Sequence, residues 1–207
     1  KYRFTELRPN RLSRSLTRAN IQKALHSEGF RHFHLFLLDH HRCHAEAAAR
    51  FSGFERCLVL TLDGVGDGLS GSIWQFQNDQ LKPIKSLPAT VSLGIFFEHV
   101  THLMNMRELE DEGKVMALAN YAYPIDDRDN PLMNLIEVRG LDLRSPYGSM
   151  ALYRKMKKIL WRFPSEQFAF MAQRTLEKKA LALVRNALSV TGEKDVALAG
   201  GIFSNIK

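Results

Sequence analysis

Two histidines four residues apart, His40 and His44 in the run HHRCH, are the sharpest chemical signal in this sequence. On a helix, residues so spaced sit about 40° apart around the axis, and both imidazoles leave one face. Two nitrogens on one face can grip a single metal ion. A chance cluster of surface histidines would give the same pattern. Cys43 could reach that face, whereas His41 points elsewhere, about 100° away by the helical period.

The next run, CLVLTLDG, delivers Asp63 to a DGVGDG turn. A carboxylate there could complete a metal site or contact a phosphate-bound cation, and a plain Asp-Gly hairpin is the alternative. Two histidines and one carboxylate with open positions suit non-haem iron, and zinc or manganese less specifically. Gly64, Gly66 and Gly68 let the backbone turn sharply and offer N–H groups to an anion. Asp67 lies inside the turn and is a less favoured ligand than Asp63.

Two further stretches carry polar chemistry. Glu110-Asp111-Glu112-Gly113-Lys114 opens a helix, where acids suit the positive end; Lys114 would face whatever sits there, or form a surface ion pair. Ala199-Gly200-Gly201 lies between a strand and the following IFSN, where glycines let a nucleotide approach the backbone, although Gly-Gly also occurs in ordinary turns.

Simple elements position these groups. Residues 10–28 read as a helix with Leu12, Leu16, Ile21 and Leu25 on one face, closed by Gly29. FRHFHLFLLD alternates and is aromatic-rich, which predicts a strand over 31–38. The Ala-rich HHRCHAEAAARF predicts a helix, with Asp39 placed to cap it. CLVLTLDG (broken at Asp63-Gly64), SGSIWQFQ and LKPIKSL predict a three-strand meander, with Pro83 marking an edge. Residues 92–106 and 110–121 read as helices, 122–149 as a loop-rich insertion or lobe junction, and helical patterning resumes from Met150. A long helix covers 165–191 and ends at Gly192, and DVALAGG is a short strand.

Composition sets the class. The 207 residues are 45% hydrophobic and 25% charged, as in an ordinary globular protein. No run of about 18 apolar residues appears, so no membrane span is expected, and the basic start lacks a signal-peptide core. Two cysteines cannot build a disulfide framework, which suits a reducing, cytoplasmic setting. The net charge of +7 is front-loaded through Arg3, Arg8, Arg11, Arg14 and Arg18. Such a flank could hold phosphates or RNA, but it reads better as a solvated or protein-packed face, so nucleic acid is not an expected partner.

Taken together, HHRCHAEAAARF, LVLTLDGVGDG, SLGIFFEHVTHLM, ELEDEGKVMALANYA and LAGGIFSN resemble the NodU-type O-carbamoyltransferase family over about residues 38–205. The family's usual GKVMGLA reads GKVMALA here, with Ala117 in place of glycine, and Ile202-Phe203 follow the glycine pair. The resemblance implies an α/β, actin-like (sugar kinase and heat-shock ATPase) fold, present in part. Residues 1–121 would be a first-lobe portion, 122–149 the insertion or junction, and 150–207 a helical segment starting the second lobe. A YrdC-like domain, absent from this chain, would make carbamoyl-adenylate from carbamoyl phosphate and ATP. The actin-like domain would pass the carbamoyl group to a hydroxyl of a sugar or other small metabolite.

By that likeness His40, His44 and Asp63 would ligate iron, with a further aspartate beyond Lys207. Gly200, Gly201 and Asn205 would face adenosine, with Gly64 and Gly66 also nearby, and Glu112 and Lys114 would line the cleft near phosphate or acceptor. The hydrogenase-maturation HypF and the tRNA threonylcarbamoyl-transfer proteins share parts of this pattern. EGKVMALA fits the NodU pattern better, and the tRNA-directed proteins lack the HHxxHA context. A non-catalytic actin-like nucleotide-binding module is the reading from another class.

Overall fold

The chain folds as a mixed α/β structure around a four-stranded sheet. The computed structural model describes residues 8–206; Arg3 of the basic flank lies outside them. Helices α1 (Arg11–Ser27) and α2 (His40–Phe51) precede strands β1 (Arg56–Gly66), β2 (Leu69–Gln77) and β3 (Gln80–Pro88). Helices α3 (Leu93–Leu103) and α4 (Glu112–Leu118) follow, then a two-stranded hairpin of β4 (Glu137–Arg139) and β5 (Asp142–Arg144). Helices α5 (Ser149–Leu160) and α6 (Ser165–Thr191), strand β6 (Val196–Ala199) and a 3-10 turn over Gly201–Ser204 complete it.

The sheet order is β3-β2-β1-β6. β1 pairs antiparallel with β2 and parallel with β6, Leu58 opposite Val196 and Thr61 opposite Ala199. β1 is central and buried on both faces, so its sequence is a continuous apolar run. Leu58, Leu60 and Leu62 enter the larger core with Phe96, Met171 and Leu176, while Cys57 and Val59 meet Ala45 and Ala49 of α2 on the other side. Each buried Leu, Val, Phe or Met among them contributes about 1.5–3 kcal/mol. The small residues of α2 let it lie close to the sheet. α3 is buried almost all round. It and α6 cover the opposite face.

Three expectations change in detail. β1 does not break at Asp63-Gly64; it runs to Gly66 through an irregularity between Leu62 and Gly66, and the hairpin turns at Asp67-Gly68, both at positive φ. Asp39 stands at the N-cap of α2 but its side chain makes no capping bond, because its carboxylate pairs with Arg14. The Asp67 carboxylate accepts the His40 backbone N–H instead (2.8 Å). Residues 31–38 form no strand: among the described residues no backbone–backbone hydrogen bond engages them.

The meander, its edge strand with Pro83, the long helix and its αL glycine at Gly192 (φ 69) are as the sequence suggests. The stretch 122–149 is loop-rich but packed: Leu132, Leu135, Ile136 and Leu143 are buried, and the Asn130 amide donates to the Met171 carbonyl of α6 (2.8 Å). Among the described residues, no helix is long and apolar enough to cross a membrane.

Candidate metal centre and adjoining cavity

The first two turns of α2 and the irregular end of β1 meet. His40 Nε2 lies 2.9 Å from Asp63 Oδ2, His44 Nε2 lies 3.2 Å from the same oxygen, and the two nitrogens are 3.1 Å apart. Among the described residues this is the one group of three such side chains whose donor atoms converge closely enough to hold one ion. Cys43 is exposed and outside it. The other Asp63 oxygen, Oδ1, accepts the Gly64 N–H (2.9 Å), which fixes the carboxylate plane and aims Oδ2 at the imidazoles. Burial pushes the Asp63 carboxyl up, but the His40 and Gly64 hydrogen bonds and the charge of both histidines outweigh it and hold it below the ordinary value.

His41 does a different job. It is buried beneath the sheet, Nδ1 against Thr61 Oγ1 (2.9 Å) and Nε2 against the Leu69 carbonyl (3.1 Å). Burial lowers its pKa and keeps it neutral at ordinary pH. Thr61 Oγ1 in turn meets Ser72 Oγ (2.7 Å), which accepts the Trp74 indole N–H (2.6 Å).

Beside Asp63 opens a cavity of about 330 Å3, whose wall includes Gly64, Glu98, Glu112, Gly201 and Asn205. β6 feeds it: Gly200 (φ 99) passes so near β1 that a Cβ would lie 2.2 Å from the Leu62 carbonyl, and only glycine fits. Gly201 then sits next to Asp63 Oδ1, and the Asn205 amide exchanges two hydrogen bonds with Gln173 of α6 (3.0 and 2.8 Å). Glu112 reaches the wall while accepting the Leu109 N–H (2.8 Å). Lys114 does not line the cavity; its side chain is 69% exposed and its ammonium pairs with Asp111 at 2.7 Å.

Sequence reasoning passed over three residues that shape the site. Glu98 is a buried carboxylate on the apolar helix α3, and it lines the cavity against Gly64. A charged residue inside FFEHV was the available signal. Gly94 lies directly on the Asp63-Gly64 backbone. Ser92 caps α3 by accepting the Ile95 N–H (3.1 Å), and its hydroxyl proton faces the carbonyls of Asp63 and Gly64 (3.1 and 2.7 Å). Its place before the apolar helix marks it as a cap, but nothing in the sequence ties it to β1.

Comparison with known proteins adds a second line. The family model described as the carbamoyltransferase N-terminus matches residues 15–207. Nodulation protein NolNO of Sinorhizobium fredii is 30% identical over 174 residues, covering 81% of this chain and 25% of that protein. Nodulation protein NolO of Bradyrhizobium diazoefficiens is 31% identical over 176 residues, 81% of this chain and 32% of the relative. An uncharacterized protein of Methanocaldococcus jannaschii is 27% identical over 182 residues, 83% and 35% respectively. The chain thus spans about a quarter to a third of the length of these relatives.

Proposed function

From the premise that this chain belongs to the carbamoyltransferase family as its N-terminal domain, we propose that it works in O-carbamoylation: transfer of a carbamoyl group from carbamoyl-adenylate to a hydroxyl of a sugar or similar small metabolite, with iron or a related divalent ion held by His40, His44 and Asp63. The convergence of His40 Nε2, His44 Nε2 and Asp63 Oδ2 beside the cavity carries the reading.

The donor set fits a metal. Ligands about 2.1 Å from an ion are roughly 3.0 Å apart at right angles and roughly 3.4 Å apart at tetrahedral angles. The observed separations of 2.9, 3.1 and 3.2 Å would let His40, His44 and Asp63 hold one ion, and a two-histidine, one-carboxylate donor set would suit a divalent transition metal. A bound ion there would supply Lewis-acid stabilisation of charge on a phosphate or carbamoyl oxygen.

The protein's own groups do the rest. Gly201 and Asn205 line the cavity, with Gly200 outside its wall bringing the backbone to it from β6, an arrangement suited to adenosine. Glu112 and Glu98 present carboxylates that can accept hydrogen bonds from hydroxyl groups. Lys114 enters this reading only by leaving Asp111 for an incoming phosphate. The antiparallel meander joined by the parallel strand β6 suits one lobe of an actin-like domain. The activated donor would come from a YrdC-like domain elsewhere in the polypeptide, using carbamoyl phosphate and ATP.

Metal analysis of the purified protein, wild type beside His40→Ala, His44→Ala and Asp63→Asn, tests the site. Near-stoichiometric metal lost in all three variants is expected. The full-length polypeptide, supplied with carbamoyl phosphate, ATP and a panel of hydroxylated acceptors, tests the reaction. A metal-free full-length protein would sink the metal-dependent mechanism.

A further inference from the structure

Helix α5 carries a stripe of positive charge that no carboxylate of the described residues neutralises. Arg154, Lys155, Lys157, Lys158 and Arg162 are exposed, and no Asp or Glu lies between Asp142 and Glu166. Leu152, Met156 and Ile159 seat the inner side of the helix in the core. Residues three and four apart share a helix face. Arg154, Lys157, Lys158 and the C-cap residue Trp161 therefore form one outward stripe, flanked by Lys155 and Arg162. Among the described residues none of the five cationic side chains enters an ion pair, whereas Arg174 and Lys178 of α6 both meet Asp127 (2.9 and 2.8 Å). Like charges at this spacing repel. The negative end of the helix offsets Lys157 and Lys158 in the last turn, but Arg154 and Lys155 lie in mid-helix.

We propose that this face docks on the anionic headgroups of a phospholipid bilayer. The outer side of one packed helix is convex, and a bilayer can meet it along its whole length; a single-stranded nucleic acid is held instead in a charged groove. Three of the five cations are lysines, a residue depleted at protein–protein interfaces and drawn to anionic leaflets. Trp161 and Met150, 80% and 65% exposed, stand at opposite ends of the same face. Tryptophan, with an apolar body and one N–H, settles at headgroup level.

The contact is peripheral. Among the described residues no helix is long and apolar enough to cross a membrane, and the apolar side of α5 is committed to the core. Charge carries the attraction, and Trp161 adds an apolar contact. Binding must therefore fall as salt shortens the reach of the charges, which is about 8 Å at physiological ionic strength.

The test sediments the full-length polypeptide with vesicles of phosphatidylcholine alone or mixed with phosphatidylserine, at low and at high salt. Binding is expected to the mixed vesicles only, and to be lost at high salt, a result that needs no variant. Lys155→Gln, Lys157→Gln and Lys158→Gln together are expected to weaken it on the order of a hundred-fold. The same three positions changed to arginine keep the charge and are expected to keep the binding, which separates lost charge from a damaged fold. Four results would each overturn the proposal: no sedimentation of the wild type, equal binding to neutral vesicles, undiminished binding by the glutamine variant, or tighter binding to a single-stranded oligonucleotide than to the mixed vesicles. None of these readouts depends on metal content or carbamoyl transfer.

Discussion

The His40 ring packs against the backbone of Gly66, so closely that a Cβ there would lie 2.1 Å from Cδ2 and 2.7 Å from Nε2. Gly66→Ala must therefore push the imidazole out of line with Asp63. Metal affinity is expected to fall on the order of 10–100-fold, the usual cost of losing a group that orients a ligand. Titration with ferrous or zinc ion, compared with wild type, reads this directly. Unchanged affinity would mean that His40 is free to bind from another rotamer.

Gly94 and Ser92 tie α3 to the backbone that carries Asp63. A Cβ at Gly94 would lie 2.6 Å from the Asp63 carbonyl oxygen and from Gly64 N and Cα, all backbone atoms that cannot swing aside. Gly94→Ala is expected to cost about 1–3 kcal/mol through overpacking, and Ser92→Ala about 1 kcal/mol through the lost cap. Urea unfolding would rank the two; a silent Gly94→Ala would show that α3 slides freely over β1.

His99 makes stability depend on pH. It is buried on α3, with Nε2 facing Ser149 Oγ (3.2 Å), the Tyr153 ring edge-on, and Glu108 and His102 near enough to act on it through charge. Burial lowers its pKa more than Glu108 raises it. The unfolded chain thus takes up a proton at about pH 6.5 that the folded chain refuses. Stability is expected to decline as pH falls below about 6.5, and His99→Gln should remove part of that slope. Parallel slopes for the two proteins in thermal melts from pH 7.5 to 5 would refute it.

Glu193 adds a second loss of stability at lower pH. Its side chain, 2% exposed, accepts from Arg56 through both oxygens (3.0 and 2.9 Å) and from the Gln75 amide (2.7 Å), joining the start of β1 to the loop before β6. Arg56 first, then Gln75, hold its carboxyl below the ordinary glutamate value. A depressed carboxyl contributes stability that is whole above the unfolded value near pH 4.3 and fades as pH falls through the folded one. Acid unfolding of Glu193→Gln should accordingly be less steep below about pH 4.3 than that of wild type. An identical acid limb would assign acid lability to other carboxylates.

Much of this was legible in the sequence because it rests on local periodicity. HxxxH on an Ala-rich helix, the meander with Pro83 at its edge, and the helix ending at Gly192 each follow from spacing that one element sets alone. The rest depends on long-range partners. FRHFHLFLL reads as a strand because alternation is local, but a ladder requires a neighbour that no local pattern supplies. Asp67 caps α2 in place of Asp39 because hairpin geometry brings it across 27 residues. Glu98 escaped notice because one carboxylate in an apolar helix looks like an exception until Gly64 is seen beside it. Lys114 belonged to a motif, and motif membership says nothing of its nearer partner Asp111.

His41 is the key in the lock of α2. Seated between Thr61 and the Leu69 carbonyl, it anchors the helix to the sheet from beside the cluster of His40, His44 and Asp63. Positions 40 and 44 are therefore aimed by a residue other than themselves. Their direction survives a change of side chain, and cysteine or aspartate at either position would inherit the same line of sight to Asp63. The fold keeps the direction of positions 40 and 44 separate from the side chains they carry, so the chemistry there could drift while the helix holds its phase.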